Sequence, residues 1–255
     1  MKFELGLAGK KAVVVGGARG IGRATAEMLA AGGADVAVCA RDQGNVDQAV
    51  ESLSSKGVSA CGAAIDVTDK AAYQAWIGSA AEALGGIDIL VIMASGVGGS
   101  VDEESWYANL ETTVLGSSRG VEAAMPYLEK SGQGSVVLMS STSAVENFFA
   151  PQPYNALKAS LITYSSQLGQ AVGAQGIRVN CVSPGPTTFE GGNWDVIEQN
   201  APEIFQGVVA GFPQGKLGTA EEVANAVVFL ASPAASFISG TNLIVDGGYT
   251  KRVQF

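Results

Sequence analysis

The sequence predicts an α/β fold, a doubly wound sheet of seven mainly parallel strands with helices on both faces. Short apolar segments rich in β-branched residues alternate along the chain with longer helical segments, as they do in doubly wound folds. The short segments are almost continuously apolar, which is typical of parallel strands buried on both faces. The 255 residues contain no linker, charge block or internal repeat, so we expect a single domain spanning residues 1–255.

The individual elements follow from this alternation. The seven predicted strands are Lys11–Val15, Asp35–Ala40, Ser59–Ile65, Ile87–Ala94, Ser135–Met139, Ile177–Val182 and Asn242–Val245. The six predicted helices are Gly20–Ala31, Val46–Lys56, Lys70–Leu84, Glu103–Glu129, Tyr154–Ala174 and Ala220–Ala231. Asn45 and Thr68 are suited to cap the second and third helices, and glycines at 32–33, 57 and 85–86 are suited to end the first three.

Residues 184–218 interrupt the alternation. They follow the sixth strand and are rich in Gly, Pro and aromatic residues. Ligands of open α/β sheets bind in the crevice beyond the carboxyl ends of the strands, and long loops of compact domains are usually functional. We therefore expect this segment to be a loop that covers the substrate.

Composition and charge exclude several classes of function. The formal charge of −9 and the pI near 4.5 argue against nucleic acid or an anionic membrane as the main partner. No apolar stretch of about 20 residues is free of Gly and charge, and the N-terminus lacks the apolar run of a signal peptide, so we expect a cytoplasmic protein without a membrane span. The isolated Cys39, Cys61 and Cys181 are expected to be buried reduced thiols. Because the sequence has no His, a Ser-His-Asp triad and a His-containing zinc site are excluded, and we expect no metal.

A glycine-rich turn joins the first predicted strand to the first predicted helix. Residues 13–22 read Val-Val-Val-Gly-Gly-Ala-Arg-Gly-Ile-Gly. Glycines allow a tight turn and let the backbone approach a pyrophosphate, which the free N–H groups of the helix N-terminus then face. The position of the motif between strand and helix predicts a dinucleotide phosphate site, with a purely structural turn as the alternative.

The end of the second strand bears on which cofactor binds. NAD-dependent enzymes place an acid there for the ribose hydroxyls, whereas an Arg accommodates the 2′-phosphate of NADP. Here Ala40 stands at the position of the acid and Arg41 follows, with Arg19 in the glycine turn. Two guanidinium groups suit a phosphate dianion, so NADP(H) is predicted over NAD(H). The alternative is that both are ordinary surface arginines, and Asp42 lies beside Arg41.

Tyr154 and Lys158 are the candidate catalytic pair. Residues four apart share one face of a helix, so the two side chains are expected to point into the same space. A neighbouring ammonium lowers the pKa of a phenol from about 10, which makes the phenol useful in proton transfer. The pair alone is a common accident, but Ser141 ends the fifth strand thirteen residues before Tyr154.

Taken together, these motifs resemble the short-chain dehydrogenase/reductase family over nearly the whole chain. The family pattern comprises the Gly-x-x-x-Gly-x-Gly turn, Asp-Val after the third strand, the serine-to-tyrosine spacing, Tyr-x-x-x-Lys, Asn-x-x-x-Pro-Gly, and a closing Val-Asp-Gly-Gly. In this sequence these fall at Gly16, Gly20 and Gly22, at Asp66 and Val67, at Ser141, Tyr154 and Lys158, at Asn180, Pro184 and Gly185, and at Val245–Gly248.

The resemblance implies a Rossmann-type fold and the interconversion of a carbonyl and an alcohol. It implies that Ser141 hydrogen-bonds the substrate oxygen, that Tyr154 moves its proton, and that Lys158 lowers the pKa of Tyr154 and binds the nicotinamide ribose. The implied cofactor-binding residues are Gly16, Ala18, Arg19, Gly20, Ile21, Gly22, Arg41, Asp66, Val67, Ala94, Tyr154, Lys158, Pro184, Gly185 and Thr187. Family members are often tetramers, so a homotetramer or homodimer is expected.

The sequence departs from the family pattern at three places. Val15 stands where the glycine turn usually has a Thr, and Ile92-Met93-Ala94-Ser95 replaces the usual Asn-Asn-Ala-Gly after the fourth strand. Thr113 stands where an Asn often holds a water in a proton relay, and Asn109 lies one turn earlier. We predict that Thr113 takes part in a modified relay.

The substrate is predicted only as a class. The expected lining is Phe148, Phe149, Phe189, Trp194, Phe205 and Phe212, which suits a small, largely hydrophobic ketone or aldehyde, although these rings could instead pack the loop or a subunit interface. Glu146, Glu190 and Asp195 could accept hydrogen bonds from a hydroxylated substrate. Two alternative functions stay open: a non-catalytic NADP(H) sensor or assembly protein, and an epimerase.

Overall fold

The computed structural model describes residues 4–253, in which seven parallel strands form one sheet. The described residues contain nine strands in all: β1 (Lys11–Val15), β2 (Asp35–Ala40), β3 (Ala60–Ala64), β4 (Ile89–Ile92), β5 (Ser135–Met139), β6 (Arg178–Pro184), β7 (Thr187–Thr188), β8 (Gly218–Thr219) and β9 (Asn242–Val245). The sheet order is β3-β2-β1-β4-β5-β6-β9, and β7 pairs with β8 as a separate short ladder. The predicted fold class is confirmed.

Helices cover both faces of the sheet. They are α1 (Gly20–Ala31), α2 (Gln43–Ser54), α3 (Lys70–Leu84), α4 (Glu103–Asn109), α5 (Gly116–Ser131), α6 (Pro153–Val172), α7 (Asn193–Asn200), α8 (Pro202–Val209) and α9 (Ala220–Ala231). Successive strand residues point to opposite faces, so Val14 packs with α1, α2 and α9, whereas Val13 and Val15 pack with α3 and α5. Each fully buried aliphatic side chain contributes about 1.5–3 kcal/mol, which explains why the strands are apolar throughout. No helix within residues 4–253 is both long enough and apolar enough to span a membrane.

Two of the predicted helix caps are wrong. The carboxylate of Asp42 accepts the N–H of Asn45 at 2.7 Å, so α2 begins three residues before the predicted start. Asp69, not Thr68, caps α3 by accepting the N–H of Ala72 at 3.0 Å, because the Thr68 hydroxyl donates to Asp66 instead. An N-cap oxygen must reach the amide two or three residues later, and both aspartates meet that condition.

Three other elements differ from the sequence-based prediction. The single helix predicted over Glu103–Glu129 is divided into α4, a π-helical segment Leu110–Leu115, and α5. Strand β4 ends at Ile92 instead of Ala94. Residues 184–218, expected as a loop, contain α7, α8 and the β7–β8 ladder.

The sheet topology fixes where a ligand can bind. The chain runs from β1 outward to β3 and then crosses back to β4 on the other side of β1. Adjacent loops diverge at such a switch point and leave a crevice at the carboxyl ends of the strands. The glycine turn follows β1, Arg41 follows β2, Asp66 and Val67 follow β3, and most of the remaining candidate residues follow β4, β5 and β6 at the same edge.

Candidate active site

The turn after β1 is built from glycines that the backbone conformation requires. Gly16 and Gly20 have φ of +78° and +53°, which side chains rarely tolerate. A Cβ on Gly22 would collide with the carbonyl oxygen of Gly16. No side chain within residues 4–253 caps the N-terminus of α1, so its first N–H groups remain available to an anion. The turn fits the pyrophosphate of a dinucleotide.

The two candidate phosphate-binding arginines have different surroundings. The guanidinium of Arg19 donates to the carbonyl of Gly191 at 2.9 Å and lies 5.8 Å from the ring centroid of Phe189. The Phe189 ring lies so close to Gly20 that a Cβ there would be 2.7 Å from it. Arg41 is exposed and helps to lower the pKa of Asp66, which is lowered mainly by the backbone N–H of Thr68. Arg19 is therefore held by the segment after β7, and Arg41 lies beside the candidate adenine contact.

The other candidate cofactor residues line the same edge of the sheet. A Cβ on Gly16 would lie 3.2 Å from the amide nitrogen of Ala94, so the turn and the end of β4 are in contact. Val67 is buried against the start of α5. After β6, Gly185 donates to the carbonyl of Val245 at 2.9 Å and accepts the Thr187 hydroxyl at 2.9 Å.

Lys158 is anchored beneath the candidate tyrosine. Its ammonium is fully buried, donates to the carbonyl of Met139 at 2.6 Å and lies 5.7 Å from the ring centroid of Tyr154. Burial lowers the pKa of Lys158 to about 8, so the group is mostly charged at neutral pH. The hydroxyl of Ser140 donates to the backbone carbonyl of Lys158 at 2.7 Å, which fixes α6 against the end of β5.

Tyr154 and Ser141 meet at the carboxyl end of β5. Burial raises the pKa of the Tyr154 phenol, while hydrogen bonds to the Ser141 and Ser95 hydroxyls lower it. In the protein alone the burial effect is the larger one, so the net shift of this pKa is upward. The Ser141 oxygen accepts the hydroxyl and the N–H of Ser143 at 2.9 Å and 3.2 Å, which leaves its own proton available.

Ser95 is a site residue that sequence reasoning did not single out. In the sequence it is only part of a departure after the fourth strand, yet its hydroxyl lies near enough to the phenol of Tyr154 to lower the pKa of that phenol. The same hydroxyl donates to the carbonyl of Gly96 at 2.9 Å. The signal in the sequence that could have identified Ser95 is a hydroxyl residue at the position where the family has a glycine.

Thr113 and Asn109 hold the loop that carries Ser95. The Thr113 hydroxyl oxygen accepts the N–H of Gly96 at 2.9 Å, and the Asn109 amide donates to the carbonyl of Val97 at 3.1 Å. Both side chains are buried, and the Asn109 carbonyl oxygen has no hydrogen-bond partner among the described residues. Thr113 belongs to the π-helical segment, a rare conformation often found at functional sites.

Of the six aromatic residues expected to line a pocket, five are joined through ring contacts or the small core around Phe212, and Phe189 lies apart from them. Phe148 packs edge-on against Trp194 and Tyr249, and Phe212 stacks on Tyr249 with centroids 4.5 Å apart. Trp194 and Phe205 pack against the small core of residues 208–217, as the alternative reading allowed. Phe149 is 65% exposed, and Phe189 lies at the glycine turn.

The acidic residues of this region are also separated. Glu146 accepts the N–H of Lys251 at 2.8 Å, whereas Asp195 accepts the N–H of Gly191 at 2.9 Å. Residues 4–253 contain no cluster of three or more acidic or thiol groups that could hold a metal ion. Cys39, Cys61 and Cys181 are unpaired, and only Cys61 is partly exposed.

The sheet, its switch point and the glycine turn define a dinucleotide-binding protein of the doubly wound α/β class. A family model described as enoyl-(acyl carrier protein) reductase matches residues 16–250. Isoepoxydon dehydrogenase of Penicillium expansum is 38% identical over 259 residues, which cover 100% of both chains. Dehydrogenase/reductase SDR family member 4 of Oryctolagus cuniculus is 37% identical over 97% of this chain and 96% of its own.

A solved structure agrees with the sequence relatives. The L-sorbose reductase of Gluconobacter frateurii, complexed with NADPH and L-sorbose, superposes with a TM-score of 0.91 at 31% identity and covers 98% of this chain and 100% of its own. The chain therefore belongs to the short-chain dehydrogenase/reductase family. It is an NAD(P)-dependent oxidoreductase that acts on alcohol and carbonyl groups.

Proposed function

We propose that the protein is an NADP(H)-dependent reductase that interconverts a small ketone or aldehyde and its alcohol. The observation that carries the proposal is the meeting of Ser141, Tyr154 and Lys158 at the carboxyl end of β5, at the same sheet edge as the glycine turn. The nicotinamide, when bound, supplies or accepts the hydride.

In this proposal each of the three side chains has one task. Tyr154 donates its phenolic proton to the substrate oxygen during reduction and takes it back during oxidation. Ser141 hydrogen-bonds the same oxygen with the proton that its Ser143 contacts leave free. Lys158 binds the nicotinamide ribose, and its ammonium stabilises the phenolate after proton transfer. Burial of Lys158 keeps water away from its ammonium beneath the phenol.

In the same proposal, the cofactor site lies at the carboxyl ends of the strands. The glycine turn and the N-terminus of α1 would hold the pyrophosphate, with Ala18, Ile21 and the glycines contributing N–H groups. Asp66 and Val67 contact the adenine, and Ala94, Pro184, Gly185 and Thr187 border the nicotinamide half. Residues 184–218, with α7 and α8, cover the substrate.

The preference for NADP(H) rests on charge at the end of β2. Ala40 offers no carboxylate to the ribose hydroxyls, and the exposed Arg41 lies near the adenine contact Asp66. The L-sorbose reductase neighbour was solved with NADPH, which agrees with this preference. The test is the ratio of kcat/KM for NADPH to that for NADH. We expect Arg41→Ala to lower it by about tenfold through lost phosphate binding, whereas equal efficiency of the wild type with both cofactors overturns the preference.

Assembly and location are proposed on separate grounds. We infer a homotetramer, supported by apolar side chains that are exposed on α4 and its flanks, among them Trp106, Tyr107 and Leu110. A monomer by light scattering overturns it.

We infer a cytoplasmic location from the unpaired state of the cysteines, to be tested by localising a tagged chain in its source cells.

The reductase proposal is tested by following NADPH oxidation with a panel of ketones, aldehydes and diketones. Turnover of any member supports it. Tight NADPH binding with no turnover of any member favours the non-catalytic sensor. Interconversion of substrate epimers without net change in NADPH identifies an epimerase.

A further inference from the structure

A cavity of about 150 Å³ lies beside the loop that joins Ser141 to Tyr154. Its walls come from that loop, from Gly211 and from the C-terminal segment that follows β9 (Asp246–Arg252, called here the tail). The lining includes Thr142, Glu146, Phe148, Gly211, Tyr249 and Lys251. A cavity of about this volume accommodates a benzene-sized ring.

The cavity is adjacent to the candidate catalytic groups through two short links. Thr142 directly follows Ser141 and forms part of the wall. At the other end of the loop, the carbonyl of Phe148 accepts the side-chain amide of Asn155 at 3.1 Å, and Asn155 directly follows Tyr154. The cavity therefore lies beside the residues that directly follow Ser141 and Tyr154 in the chain.

The tail is fixed in place by contacts at both of its ends. The Asp246 carboxylate accepts the N–H and the hydroxyl of Thr250, each at 2.8 Å. A Cβ on Gly185 would lie 2.8 Å from the Cβ of Asp246, so the start of the tail backs the nicotinamide side of the site. The N–H of Lys251 donates to Glu146 at 2.8 Å and its ammonium to the carbonyl of Gly211 at 3.2 Å. These hydrogen bonds therefore fix the tail as one wall of the cavity.

Polar groups with unused hydrogen-bonding capacity face an aromatic surface here. Lys251 engages only one of the two Glu146 carboxylate oxygens, and no other donor within residues 4–253 bonds that carboxylate. Burial, with the negative charge of Glu146, raises the pKa of the Tyr249 phenol, so this group remains a neutral donor beside an acceptor. Phe148 and Tyr249 supply ring surface with centroids 6.2 Å apart. One acidic and one basic side chain balance each other in the lining, which suits an uncharged ligand.

We propose that this cavity is the specificity site of the reductase and holds the ring of a small, uncharged, hydroxylated cyclic ketone, whose hydroxyl donates to Glu146. The inference rests on the proposed reductase function and adds the substrate class. Glu146 and Tyr249 are specificity residues in it, and Tyr249 also provides stacking surface.

The test compares cyclohexanone with 3-hydroxy- and 4-hydroxycyclohexanone as substrates, with NADPH as the reductant. We expect kcat/KM for the better hydroxylated ketone to exceed that for cyclohexanone by about tenfold or more, as a hydrogen bond to a charged group provides. Glu146→Gln keeps an oxygen that can accept the Lys251 N–H but removes the charge, so it lowers this ratio at least about threefold. Its kcat/KM for cyclohexanone stays within about twofold of the wild type.

Two controls separate the possible failures. Glu82→Gln, an exposed change on α3, leaves the ratio unchanged, and melting temperatures confirm that both variants fold. The specificity site is overturned, but not the reductase, if the wild type has equal kcat/KM with all three ketones. The same holds if Glu146→Gln leaves the ratio of kcat/KM between the hydroxylated ketone and cyclohexanone unchanged. Absence of turnover with these ketones and with the whole carbonyl panel overturns the reductase itself.

Discussion

Two loops at the same edge of the sheet are held in different ways. The glycine turn after β1 is held by backbone hydrogen bonds to β2, since Gly16 and Gly17 both donate to the carbonyl of Cys39, at 2.8 Å and 3.1 Å. The loop after β4, residues 93–101, is held by side chains from elsewhere: Thr113 accepts from Gly96 at 2.9 Å and Gln152 accepts from Gly99 at 2.6 Å. A backbone-held loop depends on its own glycines, whereas a side-chain-held loop depends on distant residues.

Of the two loops, the backbone-held turn is expected to give the larger effect. In Gly22→Ala the new methyl group meets the carbonyl of Gly16, and no side chain can move to relieve a contact with backbone. We expect NADPH affinity, measured by fluorescence titration, to fall about 100-fold. Gly173→Ala, where a Cβ meets nothing within 4 Å, is the matched control. Unchanged affinity in Gly22→Ala would show that the turn does not need its compact form.

The side-chain-held loop is expected to respond differently to the same kind of change. In Gly96→Ala the new methyl group meets the Asn109 side chain, which displaces the loop and moves Ser95 away from Tyr154. We expect kcat to fall about tenfold. The Asn109 Cα also lies 2.9 Å from the new Cβ, so the double variant Gly96→Ala/Asn109→Ala removes only the side-chain part of the obstacle. We expect it to recover part of the loss, as a double-mutant cycle of kcat measures. A purely additive cycle contradicts the idea that the Asn109 side chain contributes to the need for glycine at position 96.

The candidate catalytic residue Lys158 is expected to make the stability of the protein depend on pH. Its pKa is about 8 in the folded protein against 10.5 in the unfolded chain, so the unfolded state binds more protons between these values. The free energy of unfolding of the wild type is therefore expected to rise by about 2–3 kcal/mol, relative to Lys158→Met, as the pH goes from 8 to 10.5. Urea unfolding of both proteins across this range measures the difference. Parallel pH profiles would mean that Lys158 titrates as it does in water.

The smallest effect is expected at Thr113. Thr113→Val keeps the shape but removes the oxygen that accepts from Gly96, so kcat is expected to fall about fivefold, with the pH profile of kcat shifted. Thr113→Ser keeps the oxygen and should restore both. If Thr113→Val leaves turnover and its pH profile unchanged, the residue has no part in the reaction or in positioning the loop.

The same contrast explains what the sequence could and could not predict. The glycine turn, the parallel strands and the Ser141–Tyr154–Lys158 spacing are local patterns, so they could be predicted from neighbouring residues. The contact of Ser95 with Tyr154, the π-helical segment and the wall that Tyr249 and Lys251 form depend on packing between distant segments, which periodicity does not encode. The caps at Asp42 and Asp69 were missed because several polar residues near each helix start could have served.

The most direct test of the account is a single substitution measured in two ways. Tyr154→Phe removes only the phenolic oxygen, and we expect it to lower kcat by about 10²–10⁴-fold, the range typical of general acid–base catalysis, while NADPH affinity changes less than about twofold. Turnover that survives this substitution would contradict the assignment of Tyr154 as the proton donor.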